Sequence, residues 1–189
     1  MSDRLAAAVQ AVLFTVAFVI SGALAGVLWE RLWDAPSGLV FEDKWYLEPA
    51  GPDYAFSGTG WYVVVAVFAG ALTALLLGWR WPRHPLVSLG AIVVGSMLAG
   101  WVMFMVGHGL GPDDPRLLAV GTADLTPLPS DLLLAGADDQ PRLFWLDSSA
   151  FVAFPVGALL AALCQLLLTP GRPPRPMSHR APPQTLNAE

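Results

Sequence analysis

Four long stretches of this chain carry no Asp, Glu, Lys or Arg, and every charged residue lies between these stretches or at the two ends of the chain. The uncharged stretches are residues 5–29, 54–79, 84–112 and 148–171. Each is longer than the about 20 residues that an α-helix needs to cross about 30 Å of hydrocarbon. The composition agrees, because 55% hydrophobic and 13% charged residues cannot cover a water-soluble domain. The sequence therefore predicts an all-α membrane protein with a bundle of four transmembrane helices.

The domain organisation follows from the same pattern. We predict a membrane domain over residues 1–169, with spans of about 5–29, 57–79, 85–108 and 148–169. The two long loops, about 30–56 and 109–147, then share one side of the membrane. The tail 170–189 is rich in proline and poor in apolar residues, so we expect it to be disordered. The single cysteine, Cys164, excludes a disulfide within the chain.

The distribution of charges predicts the orientation of the chain. If the N-terminus is cytoplasmic, the short inner segments carry six arginines, and the long outer loops carry four basic residues and thirteen acids. Positive charge close to helix ends resists translocation, so both termini are expected in the cytoplasm. The inner arginines are Arg4, Arg80, Arg83, Arg172, Arg175 and Arg180.

The first span also allows a second interpretation. Arg4, the apolar run after it and the sequence Ala23-Leu24-Ala25 resemble a signal peptide with a small-residue cleavage site. However, the uncharged run is longer than the ~7–15 residues of a signal h-region and continues past the possible cleavage point. We therefore expect an uncleaved helix.

Small residues spaced four apart occur on every span, beginning with Gly22 and Gly26 in the first. Such spacing lets helix backbones approach closely in lipid, either within one chain or between two chains, and we expect packing within the chain. Two other expectations concern the connections. The short, proline-containing segment around 80–84 predicts a tight hairpin between spans two and three. The two outer loops are too aromatic and apolar for linkers and are expected to form a small irregular cap that could include short strands.

The strongest candidate for chemistry is a polar cluster at the outer end of span three, made of His108, Asp113 and Asp114. An imidazole beside two carboxylates could bind a divalent metal or relay a proton, but one histidine with adjacent aspartates falls short of a metal signature. The acid pairs Glu42-Asp43 and Asp138-Asp139 are expected to be solvated. No nucleotide, zinc-protease or nucleophile-elbow motif occurs, so we predict no catalytic residue, metal or cofactor. Too few basic residues cluster for nucleic-acid binding.

Four segments, most of them at predicted helix ends, carry a family resemblance. They are 26–29 (Gly-Val-Leu-Trp), 56–62 (Phe-Ser-Gly-Thr-Gly-Trp-Tyr), 107–112 (Gly-His-Gly-Leu-Gly-Pro) and 154–155 (Phe-Pro). Together they resemble small four-span membrane proteins of high-GC Gram-positive bacteria that are catalogued as a domain of unknown function. The resemblance covers residues 5–169 and implies a multi-pass protein of the bacterial cell membrane, with no catalytic residue to carry over.

Three functions remain open from the sequence. The first is a non-enzymatic scaffold or accessory subunit whose acidic outer loops contact a membrane or envelope protein. The alternative is a small transporter or channel component for an apolar or lipid-like solute, although no span carries a central charge of the kind that ion-coupled transport uses. The third is a membrane-embedded hydrolase that uses His108 with Asp113 or Asp114. The sequence leaves the oligomeric state open.

Overall fold

The computed structural model describes residues 3–47, 52–80, 85–137 and 148–168. Within these ranges four helices are long and apolar enough to cross a membrane, which indicates a helical membrane protein and agrees with the predicted number of spans. The helices are α1 (Asp3–Leu32), α2 (Pro52–Arg80), α3 (Pro85–Leu110), the short α4 (Pro115–Leu118) and α5 (Ala153–Leu168). The tail 170–189 and the pair Asp138-Asp139 lie outside the described residues.

Prolines mark several helix starts. Pro52, Pro85 and Pro115 are the first residues of α2, α3 and α4. A proline lacks an N–H, and the first turn of a helix leaves its N–H groups without helical partners, so proline is well tolerated there. The second helix consequently begins at Pro52, before the predicted start near residue 57, and the fourth span begins with a 3-10 turn, Ser149–Val152.

The outward surface of the bundle is apolar, as a lipid-facing surface must be. Large side chains on all four long helices are well exposed, among them Leu24, Phe68, Val94 and Leu160. Water would not wet such a surface over the length of a bundle, whereas lipid tails contact it without loss. The exposed apolar residues therefore support the assignment of the four helices as membrane spans.

The helices form two tightly packed pairs, α1 with α3 and α2 with α5. Gly22 lies against Ala99 and Gly26 against Met103, so residue numbers increase in the same direction along α1 and α3. In the second pair, Gly70 lies against Phe154 and Gly78 against Gln165. Both pairs are therefore parallel, and the contacts between α1 and α2 and between α3 and α5 are antiparallel and smaller.

The prediction that spans two and three form a tightly packed hairpin was wrong. Although a short segment connects them, α2 and α3 make little contact and occupy diagonal positions in the bundle. The small residues explain the difference, because a Cβ at Gly22 or Gly157 would overlap the backbone of the facing helix. Close backbone contact at these glycines fixes which helices pair, whatever their order in the chain. The packing of Gly22 and Gly26 is within the chain, as predicted.

Polar side chains inside the spans connect helices to each other. The Gln10 Nε2 atom donates to Ser88 Oγ over 2.6 Å, joining α1 to α3 near the N-terminal ends of both helices. Thr73 donates to Ser21 over 2.7 Å, joining α2 to α1. The Gln165 amide donates to the Leu75 carbonyl over 2.9 Å. These hydrogen bonds join helices, whereas the hydroxyl groups of Thr15 and Ser96 donate to carbonyls of their own helices.

The two long loops pack on one another at one end of the bundle, and we call their described parts, residues 33–47 and 111–137, the cap. The first loop supplies β1 (Ser37–Phe41) and β2 (Lys44–Leu47), and the second supplies β3 (Pro127–Pro129). They form an antiparallel sheet in the order β2-β1-β3, with Phe41 opposite Lys44 and Leu39 opposite Pro127. The cap thus includes short strands, as the sequence allowed, and these strands form a small sheet.

Candidate functional site

His108 lies in the last turn of α3, where it connects the bundle to the cap. Its ring stacks on Phe104, with a centroid distance of 5.4 Å and an interplanar angle of 6°. Its Nδ1 atom is 2.9 Å from the Leu132 carbonyl oxygen. Because a carbonyl oxygen can only accept, Nδ1 carries the proton in this contact. The described contacts of His108 therefore support a structural role at the junction.

The two aspartates of the predicted polar cluster have other surroundings. Asp114 is the N-cap of α4, and its Oδ1 atom accepts a hydrogen bond of 2.9 Å from the Arg116 backbone N–H. Asp113 is exposed. Within the described ranges, no hydrogen bond or ion pair connects either carboxylate to His108, and no group of three His, Cys, Asp or Glu side chains is placed to hold a metal ion.

The acid pair Glu42-Asp43 forms the turn between β1 and β2. Both residues have positive φ angles, 49° and 56°, which is the backbone of a two-residue type I′ hairpin turn. The Asp43 carboxylate accepts a hydrogen bond from the Gly121 backbone N–H, and the Glu42 backbone N–H donates to Asp124. The pair is exposed, as predicted, and it also connects the two loops of the cap.

The second cap segment is inserted into the end of the bundle. Leu132 and Leu134 are almost fully buried and belong to the same apolar core as the helices. The Ala135 backbone N–H donates to Thr59 Oγ1 of α2 over 2.9 Å, and the Leu132 carbonyl accepts from His108 Nδ1 of α3 over 2.9 Å. The cap is therefore fixed to the bundle by both apolar packing and hydrogen bonds.

A cavity of about 210 Å³ lies where the cap meets the ends of α1 and α2. Its wall includes Trp33 and Trp45, the exposed Arg116 and the buried Asp131, whose relative exposure is only 8%. The indole of Trp33 donates to Ser57 Oγ, and that of Trp45 donates to the Leu128 carbonyl. Two aromatic groups and two opposite charges thus line one small space.

The top of the cap carries a second feature, an exposed apolar surface that we call the cap patch: Phe41, Val120 and Leu125. Their relative exposures are 50%, 71% and 69%. The Leu125 backbone N–H donates to the Val40 carbonyl over 2.8 Å, which brings Leu125 beside the end of β1. Leu125 also has a φ of 66°, a left-handed conformation that costs a residue with a bulky side chain about 1–2 kcal/mol.

Sequence reasoning did not identify the cavity or the cap patch. Asp131 directly precedes an apolar run, Leu132-Leu133-Leu134. That run was the one sequence signal that could have indicated the burial of Asp131. The positive φ of Leu125 has no comparable signal, because glycine, asparagine and aspartate are the residues that usually mark this conformation. Both features depend on how two loops distant in sequence meet.

No family model, curated protein or solved structure matches this chain. Its function is therefore inferred from its own residues and their arrangement.

Proposed function

We propose that the protein is a non-enzymatic scaffold or accessory subunit in the bacterial cell membrane, which contacts a membrane or envelope protein through its cap. One observation supports this proposal best. The cap is fixed to the bundle by packing and hydrogen bonds, yet it exposes the apolar side chains of the cap patch. A cap that served only to close the bundle would not need Leu125 exposed in a strained conformation.

The surroundings of the cap patch indicate the chemistry of the partner. Glu42, Asp43 and Asp124 are exposed and lie beside Phe41 and Leu125 along the chain. An apolar centre with a polar rim is typical of protein interfaces. The three acids outnumber the exposed Lys44, which pairs with Phe41, so the net negative charge of the rim favours a basic partner. The expected partner is a protein surface with an apolar centre and basic residues around it.

The proposed orientation places the cap outside the cell and both termini in the cytoplasm. Arg4 lies in the first turn of α1 and Arg80 ends α2, and these ends of the antiparallel helices lie opposite the cap. The cap carries the acidic residues. This distribution agrees with the rule that positive charge stays in the cytoplasm.

Cysteine labelling tests the orientation. In a Cys164→Ala background, Val120→Cys is expected to react with a membrane-impermeant maleimide on intact cells, because Val120 lies on the exposed top of the cap. Asp3→Cys, at the opposite end of α1, is the matched control and is expected to react only after the cells are opened. Labelling of Asp3→Cys alone on intact cells would reverse the proposed orientation.

Site-specific crosslinking tests the docking role. A photo-crosslinking amino acid at position 120 is expected to give a discrete protein adduct in cells. Leu125→Asn should reduce that adduct about tenfold, because it removes an apolar contact while asparagine tolerates the left-handed backbone. Glu42→Lys should also reduce it, since only the backbone of Glu42 bonds within the cap.

The controls separate docking by the cap from contacts inside the membrane. Asp34→Lys is the control for Glu42→Lys. It makes the same change of charge at an exposed cap residue outside the patch and is expected to leave the adduct unchanged. The crosslinker at Leu24, which faces outward in the last third of α1, should give no discrete protein adduct. A discrete adduct from Leu24 but none from position 120 would contradict the proposal.

A further inference from the structure

We propose that the cavity between the cap and the bundle binds a small zwitterion, in which an ammonium group is close to a phosphate or carboxylate. This chemistry is shared by zwitterionic lipid headgroups and by free zwitterionic solutes. The proposal does not rest on the docking role of the cap, because the cavity and the cap patch consist of different residues.

One part of the cavity wall suits a cation. Asp131 supplies a carboxylate that is shielded from solvent, so an ammonium group beside it would experience little screening. Trp33 and Trp45 already use their indole N–H groups within the fold, and the ring of Trp45 lies over Gly38. What the two rings contribute to a ligand is therefore their π surface, which attracts cations, and tryptophan does so most strongly of the aromatic side chains.

Another part of the wall suits an anion. Arg116 lies in α4, and its backbone N–H is held by the Asp114 carboxylate. Among the described residues, no hydrogen bond or ion pair involves its guanidinium group, so its donors are available to a ligand. A guanidinium presents donors in a planar fork that matches the oxygens of a carboxylate or phosphate.

The size and position of the cavity limit the ligand further. Its volume of about 210 Å³ is below the roughly 300–1,000 Å³ of sites for drug-sized molecules, but it is several times the volume of a water molecule. The wall includes Trp33, just after α1, and Gly58, near the start of α2. Tryptophans at helix ends mark the headgroup level of a bilayer, so a lipid headgroup could reach this space directly.

The first test uses the wild-type protein in a maltoside detergent, whose headgroup is uncharged. Binding of four soluble probes is measured by saturation-transfer NMR and by titration calorimetry. Glycerophosphocholine and glycerophosphoethanolamine carry both charges, whereas glycerol 3-phosphate carries only the anion and choline only the cation. At least one zwitterion is expected to bind ten times more tightly than either singly charged probe.

Variants assign the two charges to the two residues. Asp131→Asn should reduce binding of the zwitterion at least tenfold and leave binding of glycerol 3-phosphate unchanged or stronger. Arg116→Gln should also reduce zwitterion binding at least tenfold. Arg31→Gln is the matched control. Arg31 lies at the end of α1 next to the cap but outside the cavity wall, so this substitution should not change zwitterion binding.

A second arm distinguishes the two sources of the ligand. The protein is placed in nanodiscs that contain phosphatidylglycerol with or without phosphatidylethanolamine, and native mass spectrometry counts retained lipids. Retention of phosphatidylethanolamine that depends on Arg116 identifies a headgroup site, whereas binding of soluble probes alone identifies a site for a free solute. The proposal is overturned if no zwitterion binds in either arm, or if glycerol 3-phosphate or choline alone binds as tightly as the zwitterions. The probe comparison decides even if Asp131→Asn fails to fold.

Discussion

Replacing Trp29 by alanine is expected to lower the free energy of unfolding by about 3–5 kcal/mol. Trp29 is fully buried and lies edge-on to Tyr62, with their ring centroids 5.1 Å apart. Its indole also donates to the buried Gly58 carbonyl. Alanine would leave a large void and deprive that carbonyl of its partner, and both effects weaken the junction of α1, α2 and α3. Unfolding in a maltoside detergent by increasing amounts of dodecyl sulfate, followed by circular dichroism, measures the change.

Trp79→Ala is the matched control for this substitution. Trp79 is 85% exposed on α2, so its removal creates no void, and we expect a change below about 0.5 kcal/mol. The two substitutions remove the same atoms, and they differ in burial. Equal effects at the two positions would contradict the packing of Trp29 described above.

Replacing Gly22 by alanine is expected to cost about 2–3 kcal/mol, although it adds a single methyl group. A Cβ at this position would overlap the backbone of Ala99, which cannot move away as the end of a flexible side chain can. The helices α1 and α3 would have to separate, and contact along the whole pair would weaken. The same unfolding measurement reports the loss.

Gly90→Ala provides the comparison within the same helix pair. Gly90 lies on α3 with open space around it, so a methyl group meets no other atom. Alanine is the better helix former, and the variant is expected to be unchanged or more stable by about 0.5–1 kcal/mol. If Gly22→Ala were as stable as Gly90→Ala, the parallel pairing of α1 and α3 by close backbone contact would be wrong.

The membrane spans could be predicted from the sequence because one strong energetic rule governs them. Hydrocarbon excludes charged side chains, and the absence of charge over stretches such as 5–29 locates a helix without any knowledge of its neighbours. The helix ends were less well predicted, since α1 continues to Leu32 past Glu30 and Arg31. Charged residues at a helix end can extend beyond the hydrocarbon and do not end the helix.

The pairing of the helices could not be predicted, because all four spans carry small residues at suitable spacing. Gly22, Gly70, Gly95 and Gly157 all lie in small-residue patterns, and only the three-dimensional fit decides which helix each of them contacts. The short connection before Pro85 favoured a hairpin of adjacent helices, but close packing at glycines prevailed over proximity in the chain. Local sequence cannot rank contacts between distant helices.

The cap was the least predictable part, for a reason that lies in its turns. A two-residue hairpin turn is usually marked by Asn-Gly or Asp-Gly, whereas here Glu42-Asp43 adopts the same backbone. The strands are also short, and β3 consists of Pro127, Leu128 and Pro129. The cavity could not be predicted either, because Trp33, Trp45 and Arg116 come from three separate segments of the chain.

The parallel pairing of α1 with α3 and of α2 with α5 has a consequence for biogenesis. In both pairs, the close glycine contacts join a helix from the first half of the chain to one from the second half. While the ribosome has delivered only α1 and α2 to the bilayer, Gly22, Gly26 and Gly70 have lipid where their protein neighbours will be. The first close pair can therefore form only when α3 enters the membrane and the second only when α5 enters, so a chain that stops before α5 leaves the glycine surface of α2 in contact with lipid.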